Sequence, residues 1–365
     1  HCPLKDTSLK CLFFCIYKLN TTKSVFVISR KEFMNCDKII LLAKKPGFTS
    51  FTSLNSVKKA FNTTKVGHTG TLDSFAQGLL VVCCGKLTRL AGNITEFHKS
   101  YKAIIKFGQE TDTLECTGNV IKSGKLPTVE ALENALEKFK GQIMQTPPAF
   151  SAIHIDGKRA SDLAREGKTA QIKARPVTIF DAKIIETKLN SENFVEYAQI
   201  DFSVSKGTYI RSLARDIAYE CGSFGHLIGL YRTKVGNFRI EDAAGFSDLE
   251  DFSIENAIKN INEASSELNK KIEFTKDFLE EIQNKSVDFT KEVSVLCGFN
   301  NIDLKNDDVK KDFMNGKPLR SYMFNTDLHS LLNKTSSAVF APDGSFMGLI
   351  EKDENGKIKY KFVIN

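Results

Sequence analysis

Apolar and polar positions alternate on two different periods along this chain. Lys38-Ile39-Ile40-Leu41-Leu42-Ala43-Lys44 is a short apolar run that reads as a strand, and Leu79-Leu80-Val81-Val82-Cys83-Cys84 reads as a buried strand. Further strand-like runs follow at 101–107, 176–186 and 196–205. Helical spacing is clearest at 128–140, with Val129, Leu132, Leu136 and Phe139 on one stripe, and at 209–221, with Ile210, Leu213, Ala214, Ile217 and Cys221. Strands and helices mix without a strand–helix–strand alternation, which predicts an α+β fold rather than a doubly wound sheet.

The pattern changes toward both ends. Residues 248–312 are richer in Glu, Lys and Asn, with helical stretches such as Phe278-Leu279-Glu280-Glu281-Ile282, and are expected to connect two domains. Ser337–Phe340, Phe346–Ile350 and Lys359–Ile364 look like short strands separated by Asp343-Gly344 and Asn355-Gly356 turns, so 313–365 is expected to be a small β-rich module. Residues 1–36 show no clear period. With Met34 as the first methionine, they are expected to be a poorly ordered N-terminal extension, leaving 37–247 as the main domain. No stretch approaches the roughly 20 apolar residues that span a bilayer, so no membrane association is expected. The short run from Cys11 to Tyr17 lacks a following small-residue site and is a weak signal peptide.

Composition narrows the class. The 365 residues are 41% hydrophobic and 26% charged, ordinary soluble usage that excludes wholesale disorder and fibrous repeats. Charge is uneven: residues 1–250 carry 35 Lys/Arg against 25 Asp/Glu, whereas 251–365 carry 16 against 19. A basic body suggests a polyanionic partner, RNA or DNA being the commonest. Nine cysteines without a C-x-x-C pair argue against a disulfide framework or zinc ribbon and read as reduced thiols, and no metal site is expected.

Three segments could carry chemistry. In Val66-Gly67-His68-Thr69-Gly70-Thr71-Leu72-Asp73, glycines bracket a loop able to approach a ligand closely, and Asp73 is either a reactive carboxylate or the N-cap of a short helix. In Ser205-Lys206-Gly207-Thr208-Tyr209-Ile210-Arg211, a strand ends and a helix begins. Arg211 and Arg215, four apart on a face distinct from the apolar one, oppose the helix dipole unless a carboxylate or phosphate sits opposite; the alternative is that they are solvated. In Lys99-Ser100-Tyr101, Tyr101 alone reads as a core or edge aromatic.

Taken together, the segments resemble the TruB family of tRNA pseudouridine synthases. Gly67-His68-Thr69-Gly70-Thr71-Leu72-Asp73 with Gly78-Leu79-Leu80 is similar to its signature. Lys45-Pro46 with Thr49-Ser50, Lys99-x-Tyr101, Pro147-Pro148-x-x-Ser151-Ala152, Ser205 to Ser212, and Gly225-His226-Leu227 to Phe238 match its other motifs in order, so the resemblance covers about residues 38–246. Ser74, Phe150, His154, Ser161 and Tyr231-Arg232 depart from the family's usual residues, and none removes a group the chemistry needs. Residues 337–364 look like the small RNA-binding, PUA-like module many members carry.

The resemblance implies a mixed, largely antiparallel sheet and a cytoplasmic isomerase, a monomer with no cofactor and no obligate protein partner. Its substrate would be the T-arm and loop of tRNA, where uridine 55 becomes pseudouridine. Asp73 would be the nucleophile at C1′ or the base at C2′, with Arg211 as its partner and Tyr101 stacking on the flipped uracil. His68, Gly70, Thr71, Leu72, Lys206, Tyr209 and Leu230 would bind substrate, and Lys44, Lys45, Lys158, Arg159, Arg165 and Lys206 would meet phosphates. Assistance to tRNA folding would be a second activity. A purely RNA-binding chaperone would not require Asp73, Tyr101 and Arg211 together. A hydrolase would need a general acid or metal partner that the sequence does not offer.

Overall fold

The computed structural model describes residues 36–155, 157–168, 171–263, 274–326, 328 and 336–364. The expected extension at 1–36 lies, but for Cys36, outside the described residues.

A mixed sheet, nine-stranded among the described residues, organises the main domain. Its strands run in the order Ile39–Lys44, Gln77–Cys84, Gly225–Val235, Lys99–Phe107, Val195–Val204, Arg175–Leu189 and Gly141–Gln145, with two short strands attached at the side. All neighbours are antiparallel except Gln77–Cys84 and Gly225–Val235, which run parallel and touch in register only at Tyr231↔Gln77 and Arg232↔Gly78. The expected strands at 38–44, 79–84, 101–107, 176–186 and 196–205 and the helices Val129–Phe139 and Ile210–Glu220 are all present. The fold is therefore α+β with a largely antiparallel sheet.

Both faces of the first strands are covered, and that is why they read as unbroken apolar runs. Leu41, Leu79, Val81 and Cys83 face one core; Ile40, Leu42, Leu80, Val82 and Cys84 face another, closed by Leu54 and Val57 of the Ser50–Ala60 helix and Ile282 of the Lys276–Asn284 helix. Cys83 and Cys84 thus point to opposite cores, and burial pushes both thiols up to about 12.

A second sheet orders Asn300–Asp303, Ser336–Phe340, Phe346–Lys352 and Ile358–Val363. Its first strand lies before residue 313, so it draws on the segment expected to connect the domains. The Ile254–Glu263 helix of that segment packs Ile254 against Ile104 and Ile228 of the main sheet. Among the described residues, no helix is long and apolar enough to cross a membrane.

Candidate active site

The loop that carries Asp73 is held by its surroundings at nearly every residue. It leaves the Val66–His68 strand and returns into Gln77–Cys84, with which that strand pairs. The Ser50 hydroxyl accepts from Leu72 N at 2.8 Å and donates to Leu72 O at 3.1 Å, fixing the residue before Asp73. Residues 74–76 form a bend, closed by Ala76 N donating to Asp73 O at 3.2 Å. No helix follows, so Asp73 is not an N-cap. Its carboxylate is free to project, with a side-chain exposure of 31%.

Arg211 supplies the partner. It is the second residue of Ile210–Glu220, and its Nη2 donates to Asp73 Oδ1 at 3.0 Å and to Phe150 O at 2.9 Å, while Nη1 donates to Thr113 O at 2.9 Å. The expectation of a polar helix face is corrected here. Arg211 is 5% exposed and shares a buried stripe with Ala214 and Ala218, at spacings of three and seven. Arg215 instead pairs with Asp216 at 2.7 Å.

A second carboxylate, Glu115, stands 3.7 Å from Arg211 Nη1. Burial holds its carboxyl above the usual range; Arg211 opposes this, and the Asp73 charge adds to it. Lys44 lies on the other side. It is 1% exposed, and its ammonium donates to Lys45 O at 3.1 Å, Ser74 O at 3.2 Å and Ala76 O at 2.5 Å. Burial lowers it to about 7, against the pull of Asp73. Lys44 therefore cannot meet a phosphate as expected; it braces the Asp73 loop from inside.

The remaining expected residues fall around this centre. Tyr101, 9% exposed, opens the Lys99–Phe107 strand opposite Phe202 and Arg232. It shares one apolar cluster with Leu72, Leu230 and Ile210. His68 is half-buried and accepts from Gly70 N at 3.4 Å; burial, aided by Arg232, lowers its pKa and favours the neutral ring. Thr71 is exposed on the loop. Tyr209 exchanges two hydrogen bonds with buried Gln145, at 2.9 and 3.1 Å, and the Arg175 guanidinium lies 5.1 Å from its ring centre. Lys206 lies farther out, in an exposed ion pair with Glu96. Of the other expected phosphate contacts, Lys45 pairs with Asp248 and Arg165 with Asp162, while Lys158 and Arg159 are exposed.

Sequence reasoning named Ser50 only as part of a motif, and it missed Glu115, Gln145 and the inward role of Lys44. A polar residue at a strand end or in a loop breaks no hydrophobic period, so nothing marked these as buried.

Comparison with known proteins identifies the family. The profile of the TruB family pseudouridylate synthase N-terminal domain matches residues 58–210. The tRNA pseudouridine synthase B of Treponema denticola is 41% identical over 361 residues, covering 91% of this chain and 99% of that protein. That of Borreliella burgdorferi is 44% identical over 216 residues, 59% of this chain and 75% of its own. A crystal structure of a Cbf5-Nop10-Gar1 complex shares the fold, with a TM-score of 0.60 at 19% identity over 90% of this chain and 84% of that one. The family match and the relative that this chain covers almost completely place it among the pseudouridine-forming isomerases. Within that class, the chain belongs to the TruB family of pseudouridylate synthases.

Proposed function

We propose that the protein converts uridine 55 in the T-loop of tRNA to pseudouridine, acting as a single chain without a cofactor. The observation that carries this reading is the 3.0 Å contact between Asp73 and Arg211 beside Tyr101's cluster. It sits in the family whose curated members in Treponema and Borreliella are named tRNA pseudouridine synthases.

The chemistry breaks the C1′–N1 glycosidic bond, turns the uracil and joins C5 to C1′. It needs access, a placed anion and a proton acceptor. Access requires flipping the base out of the loop, at a cost of a few kcal/mol of unstacking. Tyr101 offers the uracil a ring to stack on, Leu72 and Leu230 provide apolar walls, and His68 is placed to brace the vacated loop. Asp73 either attacks C1′ or takes the C2′ proton. On both routes the planar guanidinium of Arg211 orients the carboxylate, and its fixed fork makes that orientation rigid. Tyr101's hydroxyl assists removal of the C5 proton. The basic body supplies phosphate attraction, so affinity falls steeply with salt. The C-terminal sheet adds a second RNA contact. Assistance to tRNA folding is a further activity of the same binding surface.

Incubation with an unmodified tRNA transcript, followed by mapping of pseudouridine, tests the reading. Conversion at uridine 55 alone is expected. Tight binding without conversion would favour a chaperone, and release of free uracil a hydrolase.

A further inference from the structure

Arg232 sits at the centre of the main sheet, in Gly225–Val235, with its backbone opposite Gly78 on one side and Tyr101 on the other. Its side chain is 2% exposed. All three of its hydrogen bonds go to main-chain carbonyls: Nε to Leu79 O at 2.8 Å, Nη2 to Gly70 O at 3.0 Å and Nη1 to Thr71 O at 3.4 Å. Among the described residues no carboxylate pairs with it, and a guanidinium removed from water in this way is costly to keep. Its acceptors indicate what it holds.

Gly70 and Thr71 are the last loop residues before Leu72 and Asp73, and Leu79 belongs to the strand into which the loop returns. One rigid, planar group therefore ties the entry of the loop to the strand behind it. Lys44 grips the other flank through Ser74 O and Ala76 O. Asp73 lies between these two clamps, and Arg211 meets only its carboxylate.

We propose that Arg232 is a positioning residue, whose three-way grip on Gly70, Thr71 and Leu79 sets the Asp73 loop so that the carboxylate meets both Arg211 and the sugar. This inference rests on the reading of Asp73 as the reacting group. A lysine at 232 keeps the charge but ends one bond short of the terminal guanidinium nitrogens and replaces the fixed directions of Nε, Nη1 and Nη2 with a single rotating ammonium.

The test combines two measurements on Arg232→Lys. In single-turnover assays on a tRNA transcript, the rate is expected to fall about tenfold to a thousandfold. tRNA affinity should stay within about threefold, because binding is spread over many phosphate contacts. In the free protein, amide exchange over residues 70–74 should quicken by about tenfold or more, while the Lys99–Phe107 and Val195–Val204 strands stay protected. An unchanged rate, unchanged exchange in the loop, or equal loosening of the whole sheet would overturn the proposal. If the wild-type protein itself forms no pseudouridine, the functional reading fails, and the exchange measurement still decides whether Arg232 holds the loop. Should Arg232→Lys not fold, Arg232→Gln, with two donors and no charge, takes the same measurements. Failure of both to fold would also overturn the proposal, since the residue would then hold the core and not the loop.

Discussion

Asp73 and Arg211, 138 positions apart in the chain, meet at 3.0 Å between a loop of one strand pair and the first turn of a buried helix. Two backbone carbonyls outside the helix also anchor Arg211: Nη1 donates to Thr113 O and Nη2 to Phe150 O. The guanidinium cannot follow the carboxylate if the carboxylate moves. Orientation of Asp73 is thus imposed from below.

Replacing Arg211 by lysine should accordingly damage the rate far more than binding. Lysine keeps the charge and loses the fork that reaches Asp73 and the two carbonyls at once. A fall of about tenfold to a thousandfold in the single-turnover rate is expected, with tRNA affinity little changed. If Arg211 were only a packing residue, the rate would stay level while the melting temperature dropped.

Lys44 gives the protein a distinctive dependence on pH. Burial takes its amine from 10.5 to about 7 on folding. Between those values the unfolded chain holds a proton that the folded chain has released, so the stability contributed at this site rises with pH across that window. At neutral pH and below, the cost of burying the charge is present in full. Urea denaturation of the wild type and Lys44→Met should therefore diverge, the wild type gaining about 2 kcal/mol relative to the variant between about pH 7 and about pH 9. A difference independent of pH would show that Lys44 stays charged throughout, held by its three carbonyls.

Gly78 pairs with Arg232 where the two parallel strands meet. Its φ is +118°, and a Cβ there would stand 2.4 Å from Arg232 O and 2.6 Å from Arg232 N. Main chain cannot give way as a flexible side chain can. Gly78→Ala should cost about 1–3 kcal/mol of stability and should slow turnover as well, since it displaces the residue that grips Gly70 and Thr71. Thermal melting and the single-turnover rate read these separately. A variant as stable as the wild type would mean that the strands can part without strain.

The unevenness of what could be read beforehand has physical causes. The helices Val129–Phe139 and Ile210–Glu220 and the strands near 38–44, 79–84, 101–107, 176–186 and 196–205 announced themselves through an apolar stripe or face that leaves a period in the sequence, whereas the equally long Ser50–Ala60 helix and the Gly225–Val235 strand did not. The Asp73 loop was legible because its glycines and polar residues are contiguous. Arg211 was legible as a cation that a carboxylate or phosphate opposite would explain, but not as a buried residue, since it was placed with Arg215 on a face distinct from the apolar one. Glu115 was out of reach, since a loop residue reveals no neighbour. Lys44 ends an apolar strand as an ordinary surface lysine would, and its three carbonyl partners come from a turn whose path no local pattern specifies. The boundary expected near 313 missed the strand Asn300–Asp303, too short to alternate visibly and paired with a segment more than thirty residues later.

In the proposed mechanism the anion of Asp73 carries out the isomerisation of a tRNA uridine. Asp73→Asn keeps the size of the side chain and an oxygen that can accept from Arg211 while removing the charge. The most direct measurement is the single-turnover rate of pseudouridine formation at uridine 55 of one unmodified transcript, wild type against Asp73→Asn, with tRNA affinity measured in parallel. The account predicts a rate reduced by at least about a thousandfold, as for other essential reacting groups, with affinity within about threefold. A rate in the variant within about tenfold of wild type would contradict it.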